Sequence, residues 1–376
     1  MSSPDTIGPA DAWWSLFSFA LAPFGEHFFE RTDSGVASAP GQKREVLLTA
    51  SAPVSTASVA SSPTLNEATT TAFGNHFART ESPHWSSQRF QVGEETQPFK
   101  LYVPNSYRGQ PLPLIVMLHG AQQDPDDFAL GTGMNAVAEE KGYIVVYPEQ
   151  PQSVSSLRCW NWFRPENRTR DRGETSMIAA LTRHVMTTYN VDGTRVYVAG
   201  MSAGGAMAVN LAVTYPDLYA GAAIHSGIAF GVADEHLSAL CAMNDGKGKM
   251  QLPEPISPGQ QQRAVPLIVF HGDADDTVHP RNGEQIVTMS RVLHGDFSDM
   301  HAETMCSSAG AEGHASTRYV FRNQNGASVG ERWVVHGLGH AWSGGYPDGT
   351  YTDLRGPRAT REIVRFFEQI RLEIRQ

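Results

Sequence analysis

The block Gly200-Met201-Ser202-Ala203-Gly204 constrains this chain more than any other. Ahead of it, residues 195–199 form an apolar, β-branched run that reads as a buried strand. Behind it, residues 203–214 read as a helix. A G-x-S-x-G block in that setting is a nucleophile elbow, with the serine on a sharp turn from strand to helix and its hydroxyl exposed above a sheet. Gly200 and Gly204 lack a Cβ, so the backbone can pack closely round the turn. The following helix N-terminus offers free N–H groups and partial positive charge where an anion would develop. The plain alternative is a glycine-rich turn with an idle serine. The strand before and the helix after favour Ser202 as a nucleophile.

The rest of the chain repeats this alternation. Continuous apolar runs at 114–118, 143–147, 220–224, 267–270 and 333–335 have the length of buried strands. Segments of helical pattern at 134–141, 175–189, 282–293 and 358–371 lie between or after them. Residues 89–92 and 99–103 read as a hairpin across a glycine-bearing turn. Strand alternating with helix predicts an α/β chain of α/β-hydrolase type, a doubly wound, mainly parallel sheet with helices on both faces. That domain is expected over residues 79–376. Residues 1–78 read as an N-terminal extension. It has a helix at about 10–30, with Trp13, Leu16, Phe17, Ala20 and Leu21 on one side, and then a flexible linker rich in Ser, Ala, Thr and Pro. The helix suits docking on the catalytic domain or anchoring on a hydrophobic surface such as a polymer granule.

A serine hydroxyl is a weak nucleophile and needs a base, which in turn needs an orienting acid. In this fold the acid and then the base follow the serine in chain order. The run 266–270 ends in His271-Gly272-Asp273-Ala274-Asp275-Asp276, and spacing alone leaves Asp273, Asp275 and Asp276 open. The run 333–335 ends in His336-Gly337-Leu338-Gly339-His340. His340, at the tip of the glycine-rich loop, is the favoured base and His336 its rival. His119, His225 and His271 each end a strand and read as structural hydrogen-bonders. The oxyanion needs two backbone donors. The expected ones are the N–H of Ala203, next to the nucleophile, and that of Ala121 in the loop Leu118-His119-Gly120-Ala121-Gln122.

Charge narrows the partners. Asp and Glu number 39 against 29 Lys and Arg, a formal charge of -10. Phosphate-backbone binding needs clustered positive charge, so no nucleic-acid partner is expected. No stretch reaches the roughly 20 apolar residues of a membrane span. The apolar run at 13–22 is preceded by Asp5 and Asp11 rather than by Lys or Arg, so no ordinary signal peptide is read there. The three cysteines, Cys159, Cys241 and Cys306, have no metal-site spacing. Cytoplasmic placement is the reading, with granule association as an option and secretion left open. The mechanism requires no metal or organic cofactor.

With these pieces in place the chain resembles the esterase family of polyhydroxybutyrate (PHB) depolymerases, from about Lys100 to Phe367. The matching blocks are Pro113-Leu114-Ile115-Val116-Met117-Leu118-His119-Gly120, Gln123-Asp124-Pro125-Asp126-Asp127-Phe128, and Arg158-Cys159-Trp160-Asn161-Trp162-Phe163. Tyr197 through Met207 and Gly339-His340-Ala341-Trp342-Ser343-Gly344-Gly345 also match. The resemblance implies a triad of Ser202, Asp275 and His340, and a substrate cleft lined by Trp160; a core position is the alternative for Trp160, and more strongly for Trp342. It implies hydrolysis of a short-chain hydroxyalkanoate polyester or its oligomers. A carbohydrate esterase acting on acetyl or feruloyl groups is the second reading, and a granule-associated protein without turnover the third. One position departs from the pattern. Relatives commonly carry a cysteine directly after the His-Gly pair, able to pair with the cysteine matching Cys159; here that position is Ala121.

Overall fold

Hydrophobic alternation along one strand shows how the core is divided. Leu114, Val116 and Leu118 enter one buried cluster, while Ile115 and Met117 enter another on the opposite side of the sheet. The strand is therefore covered on both faces, as its unbroken apolar run requires. The structure is a computed structural model and describes residues 84–252, 263–295, 301–307, 313–323 and 325–373. The expected N-terminal helix and linker lie outside the described residues.

Among the described residues ten strands form one sheet: β1 (Trp85–Val92), β2 (Glu95–Tyr102), β3 (Leu112–Leu118), β4 (Ile144–Pro148), β5 (Val191–Met201), β6 (Gly221–His225), β7 (Leu267–Gly272), β8 (His301–Ser307), β9 (Ser316–Arg322) and β10 (Ser328–Val335). Their spatial order is β1-β2-β4-β3-β5-β6-β7-β10-β9-β8. The six central strands, from β4 to β10, are parallel. Antiparallel strands close both sides. The expected hairpin is β1–β2, with Val92 opposite Glu95 and Gly93 turning at φ 59°.

Among the described residues seven α-helices accompany the sheet: α1 (Pro125–Thr132), α2 (Met134–Lys141), α3 (Gly173–Thr188), α4 (Ala203–Thr214), α5 (His236–Asp245), α6 (Arg281–Leu293) and α7 (Ala359–Glu368). Buried residues of α3, α4 and α6 share one cluster, and those of α1, α2 and α7 share the other. The doubly wound α/β-hydrolase arrangement is thus present. Every residue of α4 is buried, and none of them is charged. A helix apolar all round belongs inside the protein.

This topology positions the site. Parallel strands carry their C-terminal ends to the same edge of a sheet. Leu118 at the end of β3 is in register with Gly200 of β5, Met201 with His225 of β6, and Val335 of β10 with Gly272 of β7. The loops following β3, β5, β7 and β10 therefore emerge side by side. The chain leaves β3 toward β4 and returns to β5 on the other side, the switch point where open α/β sheets form their crevices.

Candidate active site

Ser202 stands between β5 and α4 with φ 55° and ψ −120°. A residue with a Cβ rarely adopts such a conformation, which costs on the order of 1–3 kcal/mol and must be held by its surroundings. Here the Ser202 N–H donates to the His225 carbonyl at 2.9 Å, and the Ser202 carbonyl accepts from Ala206 N at 2.9 Å. A Cβ on Gly204 would collide with the carbonyls of Leu118 and His119, and one on Gly200 with the Gly204 carbonyl. The two elbow glycines thus allow α4 to start directly against the end of β3.

That contact brings the β3 loop to the serine. A Cβ on Gly120 would lie 3.6 Å from Ser202 Cβ and 3.6 Å from the Met201 carbonyl. Ala121 follows at once and is buried, as is Ala203 on the other side of the elbow. Ala203 opens α4, where the first N–H groups have no partner within the helix. Both expected oxyanion donors therefore belong to segments packed against Ser202.

Of the three candidate aspartates, Asp275 is the buried one that meets His340. His340 Nδ1 lies 2.8 Å from Asp275 Oδ2. The other carboxylate oxygen accepts from Thr277 N at 3.0 Å and Val278 N at 2.8 Å. A second histidine, His271, approaches the same carboxylate at 3.4 Å while its Nε2 also bonds the Val278 carbonyl at 2.7 Å. Burial alone would raise the Asp275 carboxyl. Attraction to His340 and hydrogen bonds from His271 and His340 outweigh it and hold the group well below the usual carboxylate range. With Nδ1 turned to the carboxylate, Nε2 of His340 is left as the proton acceptor.

His225 joins this pair to the elbow. Its carbonyl holds Ser202 N, and its ring Nε2 accepts from Ser343 N at 3.0 Å, three residues past His340. Burial, then repulsion from His271 and His340, pushes its imidazole down to about 3, so it stays neutral. His336, the rival base, is engaged elsewhere. Its Nδ1 lies 2.7 Å from Asp273 Oδ2 and its Nε2 2.9 Å from Thr317 Oγ1, in a half-exposed position. Asp276 is exposed.

The tryptophans require a correction. Trp160 is 0% and Trp342 1% exposed, so neither ring presents a face to a substrate in this structure. Trp160 donates its indole N–H to the His119 carbonyl at 3.1 Å. Trp342 stacks on His225 at 5.0 Å and donates to Thr360 at 3.0 Å. Both support the site from behind, the core alternative weighed for them. Cys159 is a free thiol beside this network. Among the described residues no group of His, Cys, Asp or Glu is arranged to hold a metal ion, and no helix is long and apolar enough to cross a membrane.

His271 is the structural hydrogen-bonder expected at the end of its strand, and in that role it also approaches Asp275. One contributor carries no signal in the sequence. Glu174 was not singled out, although it accepts from Gln150 at 2.6 Å, Asn161 N at 2.8 Å and Asn161 Nδ2 at 2.7 Å. It is a glutamate in the first turn of a helix, a common dipole position, and nothing local marks it as a buried hub.

A family model described as esterase PHB depolymerase matches residues 97–311, a span that includes Ser202 and Asp275 and stops before His340. A poly(3-hydroxyalkanoate) depolymerase C of Paucimonas lemoignei is 32% identical over 238 residues, which are 61% of this chain and 54% of that protein. The chain thus spans about half the length of that relative. A feruloyl esterase B of Neurospora crassa is 32% identical over 213 residues, 52% of this chain and 70% of its own. An acetylxylan esterase A of Emericella nidulans is 29% identical over 195 residues, 49% and 63% of the two chains. Among solved structures, an acetyl xylan esterase from Aspergillus awamori superposes with a TM-score of 0.59 at 21% identity, covering 76% of this chain and 99% of that one.

Proposed function

This chain belongs to the esterase family of PHB depolymerases, and we propose that it is a serine ester hydrolase using Ser202, His340 and Asp275. The observation that carries this reading is the buried His340–Asp275 pair on loops that emerge beside the strained Ser202 elbow. Ser202 Oγ attacks the ester carbonyl while His340 Nε2 takes its proton. Asp275 holds the imidazole by Nδ1 and stabilises its charged form. The N–H groups of Ala121 and Ala203 donate hydrogen bonds to the carbonyl oxygen as negative charge develops on it. His340 then protonates the leaving alcohol, and water, activated by the same histidine, releases the acid from the acyl-enzyme.

The substrate assigned to this site is a short-chain polyhydroxyalkanoate, or its oligomers, hydrolysed to 3-hydroxybutyrate units; the depolymerase relative supports that choice. A second reading, an acetyl or feruloyl ester of a plant polysaccharide, is favoured by the names of the other relatives. The test is product analysis after incubation with amorphous PHB, crystalline PHB, acetylated xylan and a feruloylated xylan, with Ser202→Ala in parallel. Release of 3-hydroxybutyrate by the wild type alone supports the first reading. Release of acetate or ferulate alone moves the assignment to the second. Equal turnover by Ser202→Ala sinks the nucleophile.

A further inference from the structure

The oxyanion loop is secured at three successive peptide units, and one side chain makes the shortest contact to the unit that matters. In the 119–120 unit, the His119 carbonyl accepts from Trp160 Nε1 at 3.1 Å and the Gly120 N–H donates to Gln123 Oε1 at 3.0 Å. In the 121–122 unit, the Gln122 N–H donates to the Leu157 carbonyl at 2.7 Å. Between them lies the 120–121 unit, whose N–H is that of Ala121. Its carbonyl, that of Gly120, lies 2.8 Å from His119 Nδ1 and accepts a longer hydrogen bond from Gln123 N at 3.3 Å.

We propose that His119 is a positioning residue for the oxyanion site: by holding the Gly120 carbonyl it aims the Ala121 N–H at the acyl oxygen above Ser202. The inference rests on the roles given above to Ser202 and Ala121. A trans peptide is planar, with its N–H antiparallel to its C=O. Fixing the carbonyl on one side of the chain therefore fixes the N–H on the other. The tautomer this requires is set by a second contact. His119 Nε2 lies 3.0 Å from the Gln150 N–H and must accept, which leaves the proton on Nδ1 to be donated to Gly120. Burial pushes the imidazole down to about 4, so the ring keeps one proton at neutral pH. Gly120 itself cannot carry a side chain without disturbing this arrangement, because a Cβ there would meet Gln123 Oε1 at 3.0 Å. Gln123 is anchored in turn to Asp127 at 2.9 Å and to the Thr350 carbonyl at 3.1 Å. The device is noncovalent. It serves a loop in which the cysteine common in relatives has become Ala121.

The experiment compares His119→Gln with His119→Asn on p-nitrophenyl butyrate, with Ser202→Ala as reference. An asparagine amide can place an N–H near the position of Nδ1, whereas a glutamine amide reaches toward Nε2. Losing one oxyanion donor outright typically costs about 10²–10³-fold in kcat. A misaimed donor should cost less, so kcat of His119→Gln should fall about 10- to 100-fold with KM within about twofold. His119→Asn should recover most of that loss. A purely structural role would move thermal midpoint and kcat together and make the two variants alike. Wild-type kcat in His119→Gln, or equal losses in both variants, overturns the proposal. If His119→Gln does not fold, His119→Ala removes the ring that holds the Gly120 carbonyl with a smaller side chain. Its kcat should drop about 10- to 100-fold with KM within about twofold, and an unchanged kcat overturns the proposal. Ser202→Ala separates the levels. An active Ser202→Ala rejects the catalytic reading together with this one. An inactive Ser202→Ala beside a fully active His119→Gln rejects this one alone.

Discussion

His340 and Asp275 are 65 positions apart in sequence and meet, ring nitrogen to carboxylate oxygen, at 2.8 Å. Beside them His336 and Asp273 meet in the same manner at 2.7 Å, from the same two loops but in a half-exposed position. The two pairs make a controlled comparison. Asp275→Asn cannot stabilise an imidazolium and favours the wrong tautomer, which lowers turnover by roughly 10⁴-fold in the type case. Asp273→Asn should stay within about threefold of wild type, because exposed ion pairs contribute little and this one lies outside the proposed chemistry. Steady-state kinetics on a soluble butyrate ester decide, and a larger loss in Asp273→Asn would exchange the roles of the two pairs.

Thiol labelling should distinguish the three cysteines. Burial, with Glu174 close by, pushes the Cys159 thiol up to about 12, and its Sγ lies 3.4 Å from the Trp160 carbonyl. Cys241 and Cys306 are exposed. Reactivity follows thiolate fraction and access. Native protein should therefore react quickly at Cys241 and Cys306, and much more slowly at the half-buried Cys159. Dithiothreitol should leave esterase turnover unchanged. Rapid labelling of native Cys159 would contradict this placement.

Acid should destabilise the fold through its buried histidines. Burial holds His119 at about 4 and His225 at about 3, below the roughly 6.5 of an unfolded chain. Below about pH 6.5 the unfolded chain takes up protons that the folded one refuses, so stability falls as pH falls. The loss is complete only near the folded values. At pH 5 each histidine should already cost about 2 kcal/mol, from about 1.5 pH units at 1.36 kcal/mol per unit. Asp275 acts in a lower window, because a depressed carboxyl loses its contribution only as pH drops below the unfolded value of about 3.9. Urea midpoints at pH 7 and pH 5 test this. His119→Asn should lose about 2 kcal/mol less than wild type between them, and an equal loss would contradict it.

Removing residues 1–78 should leave turnover of a soluble ester close to that of the whole chain. Each group assigned to the chemistry lies at or beyond His119, and the described core begins with β1 at Trp85. If the expected N-terminal helix is a surface anchor, the shortened protein should lose co-sedimentation with amorphous polymer while retaining soluble-ester activity. Retained co-sedimentation with a lowered melting temperature would instead favour a helix docked on the catalytic domain.

The sequence was most legible where chemistry and burial coincide. The runs at 114–118 and 267–270 are strands because both faces of the sheet are covered, and α2 and α4 begin and end at the predicted residues. The outer strands β8 and β9 were not read. Their segments His301–Ser307 and Ser316–Arg322 lie at one side of the sheet, and neither alternates regularly: the first has no apolar run longer than two residues, and the second only Tyr319-Val320-Phe321 between charged residues. Helices α1 and α5 were missed as well. The segment of α1 opens on Pro125 behind its Asp124 cap and ends at a left-handed Gly133, so it reads locally as a turn. At the site, Ser202 and His340 were marked by their glycine-rich blocks. The choice among three aspartates needed either a resemblance or the fold, because hydrogen bonding and burial, rather than spacing, separate Asp275 from its neighbours. For Trp160 the resemblance implies a cleft lining, with the core as its alternative; no local pattern separates the two, and its indole N–H finds a carbonyl inside the protein.

The φ of 55° at Ser202 means that the molecule is less stable because of its own proposed nucleophile. Glycine adopts that conformation freely, at an entropic cost of roughly 0.5–1 kcal/mol against about 1–3 kcal/mol of strain relieved. Ser202→Gly should therefore melt higher than wild type, by about 2 °C for a domain of this size, while hydrolysing nothing. Any screen that rewards thermal tolerance alone will drift toward inactive protein at this one codon.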